Sequence, residues 1–146
     1  MEQTVSFLDK IKQTFDLDEI DIRTYSPLTL AFIGDCVYDL IIRAAIVERA
    51  NRSPKSLHKL KSEAVKAQTQ AAFMDAVMEL LTEEECEVYK RGRNAKSMSV
   101  AKNASVIDYR KATGMEALLG YLYLQNEEER ILSLVKEGLD RLGIVL

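Results

Sequence analysis

The chain has only two prolines, two cysteines and one histidine in 146 residues, and each shortage removes a class of protein. Cys36 and Cys86 lie far apart, with no CxxC pattern and no Cys/His cluster. That argues against a structural zinc site and a disulfide framework, and fits a reducing cytosol. Cys36 has no basic neighbour to lower its pKa and reads as a small core residue rather than a nucleophile. The single His58 sits in a lysine-rich helix start and reads as a surface residue, so a nucleophilic triad lacks its base. Neither a GxxxxGK(S/T) nor a GxGxxG phosphate loop occurs. The opening MEQTVSFLDKIKQ lacks the basic start and long apolar run of a signal peptide. No apolar run approaches the roughly 20 residues that cross a bilayer, so no membrane partner is expected.

What remains is helical. No convincing period-2 strand appears, and apolar residues recur at spacings of three and four. Ser26-Pro27 is a cap followed by proline at the first helical position, opening a helix to about Ala50. Ser53-Pro54 repeats the signal. From it the stripe Leu57, Leu60, Ala64, Ala67, Ala71, Met74, Met78 and Leu81 predicts one long helix. Thr82 with Glu85 forms a capping box for a short acidic helix to about Lys90. Residues 91–104 lack periodicity and predict a loop. Helices follow over about 105–124, with a candidate interruption at Gly114, and over about 127–142. With no internal repeat or linker, residues 1–146 read as one all-α domain.

Net charge is −3, which by itself speaks against nucleic acid. The charge is segregated, however. Residues 87–111 hold seven Lys/Arg against two acids, whereas the first 26 residues hold six acids against three bases. A basic strip on an acidic body binds phosphate or simply solvates a loop, and charge alone leaves both readings open.

Two carboxylates stand in apolar settings. Asp35 lies in LAFIGDCVYDL (residues 30–40) and Glu116 in GMEALLGYLYL (residues 114–124). Burying an ionised carboxylate without a partner is costly, so each calls for a salt bridge or a metal ion. Arg43, Arg110 and Lys111 are the candidate bridge partners.

These motifs carry a resemblance. LAFIGDCVYDL resembles the signature helix of the ribonuclease III family, roughly LEFLGDAVLEL, and GMEALLGYLYL resembles that family's second catalytic helix. KRGRNAKS (90–97) and YRKATGMEALLGYLYL (109–124) are similar to the small bacterial branch called Mini-ribonuclease III, which consists of the nuclease domain alone. The likeness spans about residues 25–125.

The resemblance implies the ribonuclease III helical bundle and a Mg²⁺-dependent endoribonuclease of double-stranded RNA, with Asp35 and Glu116 as catalytic metal ligands. It implies pre-ribosomal RNA as substrate, in particular large-subunit (23S) ends, with a ribosomal protein as a further candidate partner. With no double-stranded-RNA-binding domain expected, affinity falls to the nuclease domain: Lys90, Arg91, Arg93, Asn94, Lys96, Ser97 and Lys102 are the candidate RNA contacts. A symmetric homodimer is implied, with Phe32 inserting into the partner and Ile33, Val37 and Ile41 extending the seam. Two further family carboxylates are replaced, by Ala31 and Thr113; Asp39, one turn past Asp35, is a candidate extra acid. The alternative is a non-catalytic RNA-binding or ribosome-assembly module of the same fold, which retention of both Asp35 and Glu116 argues against.

Overall fold

The computed structural model describes residues 5–95 and 105–146. These residues form seven α-helices: α1 Phe7–Thr14, α2 Pro27–Arg49, α3 Pro54–Val65, α4 Ala67–Val77, α5 Glu83–Asn94, α6 Val106–Leu124 and α7 Glu128–Arg141. Short 3₁₀ turns cover Ile22–Thr24 and Met78–Leu80, and no strand occurs among the described residues.

The caps fall where serine, threonine and proline place them. The Ser26 hydroxyl accepts from the Thr29 N–H with Pro27 in the first turn, and Ser53 does the same for Ser56 ahead of Pro54. Thr82 and Glu85 form the expected capping box. Glu85 does more than cap. It is buried, and its carboxylate also accepts from Arg130 Nε at 2.9 Å and Nη2 at 2.8 Å, tying α5 to α7. The guanidinium holds the Glu85 carboxyl below its usual range.

Three expectations are corrected. The long second helix breaks at Lys66, whose backbone is extended at φ −64° and ψ 150°. The carbonyls freed by the break are taken up locally: Thr69 Oγ1 donates to Glu63 O and Gln70 Nε2 to Val65 O, both at 2.7 Å. One apolar stripe therefore serves two helices. The loop expected from residue 91 begins later, because α5 runs on to Asn94; residues 96–104 lie outside the described residues. Gly114 does not interrupt α6; it lies against the Tyr89 ring.

Helix α6 is the axis of the bundle. From Ala112 to Leu122 every residue except Glu116 is buried, the pattern of a helix covered on all sides. It packs against α2, α4, α5 and α7. Glycines make its two closest crossings. A Cβ on Gly34 of α2 would stand 1.7 Å from Glu116 O, and one on Gly120 would stand 2.0 Å from Leu30 O. On the other side, a Cβ on Gly92 of α5 would come within 2.9 Å of Gly114 Cα. A mid-helix glycine costs about 1 kcal/mol relative to alanine. These pairs offset that cost by letting backbones touch.

Candidate active site

The Gly34–Gly120 crossing decides where the two carboxylates go. With α2 pressed on the α6 backbone at Glu116, the next residue along α2, Asp35, stands beside the Glu116 side chain, and the two carboxyls hydrogen-bond. Asp35 is exposed, so the expectation of a buried aspartate is corrected: the apolar residues around it in sequence point elsewhere on the helix. Glu116 is the half-buried member. Its pKa is pushed up to about 9, first by burial and then by the hydrogen bond and the negative charge of Asp35. In the metal-free protein at neutral pH, Glu116 therefore holds its proton and donates it to Asp35.

Among the described residues neither acid is bridged. Arg43, a candidate partner, pairs with Asp39 at 2.6 Å, and Lys111 pairs with Asp75 at 2.9 Å. Asp39 also faces Lys61 at 3.7 Å, so this third acid ties α2 to α3. Among the described residues no group of three His, Cys, Asp or Glu side chains gathers at the pair or elsewhere. The donor set is thus two carboxylates, one resisting ionisation for want of a cation. That chemistry fits a hard divalent ion such as Mg²⁺, which takes one or two carboxylates and completes its shell with water and phosphate oxygens.

The shifted glutamate makes the metal-free fold sensitive to pH. Between its unfolded value near 4.5 and its folded value near 9, Glu116 binds more proton in the folded state. Stability from this group is therefore greatest below about pH 4.5 and falls as pH rises towards 9. Glu116→Gln should flatten that slope and melt higher than the wild type at pH 8 in chelator. The gain should be about 1 kcal/mol after discounting for the partial exposure. Equal melting of the two proteins at pH 5.5 and at pH 8 would count against the shift.

Comparisons with known proteins address the same residues. A family model described as the Ribonuclease III domain matches residues 28–127, taking in both acids. The chain belongs to the ribonuclease III family. Among its relatives is a Mini-ribonuclease 3 of Clostridium tetani, 47% identical over 80% of this chain and 78% of the relative. A Mini-ribonuclease 3 of Thermoanaerobacter is 44% identical over 90% of this chain and 92% of its own length. A crystal structure of a Fusobacterium nucleatum protein shares 32% identity and the fold, with a TM-score of 0.73 over 81% of this chain and 94% of that one. Membership makes the chain an endoribonuclease of the double-stranded-RNA type.

In this ribonuclease III chain, neither replaced carboxylate position offers a substitute ligand. Ala31 lies in the core, and the buried Thr113 hydroxyl donates to Tyr109 O at 3.0 Å, along its own helix. The candidate RNA contacts divide. Lys90, Arg91, Arg93 and Asn94 sit on the last turns of α5 rather than on a loop, with Arg93 stacked over the Tyr89 ring at 5.7 Å. Lys96, Ser97 and Lys102 lie outside the described residues. Of the expected dimer seam, Phe32 is 83% exposed. Val37 is corrected: it belongs to the chain's own core, and Ile33 and Ile41 pack against that core. Sequence reading missed Leu28, Leu40 and Val47, and Cys36, expected in the core, is corrected: all four are exposed and share the Phe32 side of α2. The spacing of four from Leu28 through Leu40 was the available signal. Among the described residues no helix is long and apolar enough to cross a membrane.

Proposed function

We propose that this chain works in the cytoplasm as a Mg²⁺-dependent homodimer that cleaves double-stranded regions of large-subunit ribosomal RNA precursor, with Asp35 and Glu116 holding the metal. The observation that carries this is the Asp35–Glu116 pair itself, in which burial and a neighbouring acid keep Glu116 protonated until a cation takes the proton's place. Such a pair is costly to the fold and has no structural partner among the described residues, the signature of a site kept for function. A divalent ion there supplies Lewis-acid polarisation of a phosphoryl oxygen and a water of lowered pKa. Asp35 and Glu116 would both hold the ion, Glu116 as the carboxylate left when its proton is released, and the Gly34–Gly120 crossing fixes the helices that carry them. The ribosomal substrate, and a ribosomal protein as an assisting partner, rest on the resemblance to the Mini branch.

Lys90, Arg91 and Asn94 on the exposed end of α5 are assigned to phosphates or 2′-hydroxyls across the minor groove of the duplex, with Arg93 as a stacked cation beside them. Arg91→Ala with Arg93→Ala should weaken RNA binding and lower the slope of log affinity against log salt by about 0.7–0.9 per lost phosphate contact. An unchanged slope would return this end of α5 to a solvated surface.

The dimer follows from the cut. One Asp35–Glu116 site hydrolyses one phosphodiester, and a two-fold axis supplies a second site of opposite polarity. The apolar row on α2, with Phe32 at its most exposed point, offers the surface. Exchange of wild-type chains with an excess of Asp35→Asn chains, followed by digestion of duplex RNA with Mg²⁺, tests the whole reading. One strand should be nicked where the wild type cuts both. Retained double-strand cutting by a 16.5 kDa monomer would overturn it.

A further inference from the structure

We propose that residues 13–22 form an acidic–apolar arm that docks on the α2–α3 corner of a second copy of this chain, with Phe15 seated in the cavity at that corner. The proposal rests on the homodimer reading and adds to it a second, charge-matched contact.

Between the end of α1 and Ile22, which packs against the core, the arm stands off its own fold. Gln13 to Asp21 are all exposed in unbroken succession. Phe15 is 70% exposed and Ile20 58%, high for large apolar side chains in a folded protein. Between them stand Asp16, Asp18 and Glu19, and no Lys or Arg occurs from 13 to 22. Glu19 reaches Lys12 only at 3.4 Å, and Asp16 and Asp18 meet no cation among the described residues. The preceding helix α1 is held to the body by the buried Leu8 and by hydrogen bonds of Ser6 and Asp9 to Asn126.

The corner has the opposite character. Ile46 and Val47 of α2 and Pro54 and Leu57 of α3 line a cavity of about 160 Å³, completed by His58 and by Arg43 and Lys61, the two cations paired with Asp39. A cavity of roughly 150 Å³ accepts a benzene-sized ring, so a phenyl group fits. Around it Arg49, Arg52, Lys55 and Lys59 are exposed and meet no carboxylate among the described residues. Lys55 lies in the first turn of α3, where the helix dipole is already positive and an anion is favoured. An RNA phosphate would answer the cations but leave the apolar cavity and the apolar arm uncovered. The sequence FDLDE (15–19) answers both, a ring flanked by carboxylates.

Symmetry brings the two together. The exposed apolar row on α2 runs from Leu28 to Val47 and is centred between Cys36 and Leu40. An isologous contact on such a row, with its two-fold axis perpendicular to α2, sets the two helices antiparallel, about 8–10 Å apart. The Pro27 end of one α2 then lies beside the Arg49 end of the other. The arm leads into Pro27, and the corner begins at Arg49. Each arm thus meets the other copy's corner, and the contact forms twice.

The test uses the full chain and two triple variants, one of the arm (Asp16→Lys, Asp18→Lys, Glu19→Lys) and one of the corner (Arg52→Glu, Lys55→Glu, Lys59→Glu). All six positions are exposed, and thermal melts check that both variants fold. By sedimentation, each variant alone should dimerise at least about tenfold more weakly than the wild type, because like charges then face each other. An equal mixture of the two should regain wild-type affinity, since in the mixed dimer each arm meets a corner of opposite sign. Phe15→Ser should weaken the wild-type dimer and leave its helical content by circular dichroism unchanged. A dimeric wild type with both variants equally tight would overturn the arm and leave the dimer standing. Failure of the mixture to recover would mean that the arm folds onto its own corner, which also overturns the proposal. A corner variant that loses RNA binding but dimerises normally would assign the corner to RNA instead. A monomeric wild type would remove the homodimer reading and the arm with it.

Discussion

Asp35→Asn should cut the rate of duplex RNA cleavage by about 10³-fold or more, the equivalent of about 4 kcal/mol of transition-state stabilisation, and should leave the fold intact. The substitution keeps the shape of the side chain and removes its charge. Asp35 is exposed, so the amide meets water rather than a packed core. The change also removes the negative charge that helps push the Glu116 pKa up, so the metal-free variant should melt no lower than the wild type at pH 8. These two readouts separate loss of a ligand from misfolding. Single-turnover cleavage in saturating Mg²⁺ is the measurement, and a wild-type rate in the variant would remove Asp35 from the site. Because the two carboxylates act as a unit, Glu116→Gln should cost about as much, and the double variant little more than either alone.

Why the site was only partly legible in the sequence comes down to which way the side chains point. Motif and order singled out Asp35 and Glu116, which the fold brings side by side, and Ser/Thr caps with Pro27 and Pro54 were enough to start the helices. Local patterning could not show that the apolar neighbours of Asp35 turn away from it. Val37 packs inward while Phe32 and Leu40 stay open, a distinction set by the position of α6. The break at Lys66 escaped for a related reason. Thr69 and Gln70 satisfy carbonyls six and five residues back, and an apolar stripe of period 3.6 continues across the break. The α5 end was misread because polar, small and basic residues suggest a loop. Along Arg91 to Asn94 the helix packs on α6 through Gly92 against Gly114, a contact between helices that no single segment records.

The glycines on α6 and α2 make the second large prediction. Gly34→Ala should lower stability by about 3 kcal/mol and the melting temperature by roughly 10 °C. The methyl group would lie 1.7 Å from Glu116 O, 2.6 Å from Glu116 C and 2.8 Å from Gly120 N. All three are backbone atoms of a helix buried on every side, so no flexible side chain can give way. Alanine's better helix propensity returns only about 1 kcal/mol, too little to offset a backbone collision. The helices must separate, and α2 carries Asp35 away from Glu116 as they do. Cleavage should then fall even well below the melting temperature, and the Glu116 pKa should drop towards its ordinary value as burial and the Asp35 contact weaken. Gly143→Ala is the matched control. Gly143 has open space around it and φ of +70°, so alanine there meets strain without collision, about 1 kcal/mol, and activity should persist. A Gly34→Ala protein that melts and cuts like the wild type would show that the crossing does not set the distance between the two carboxylates.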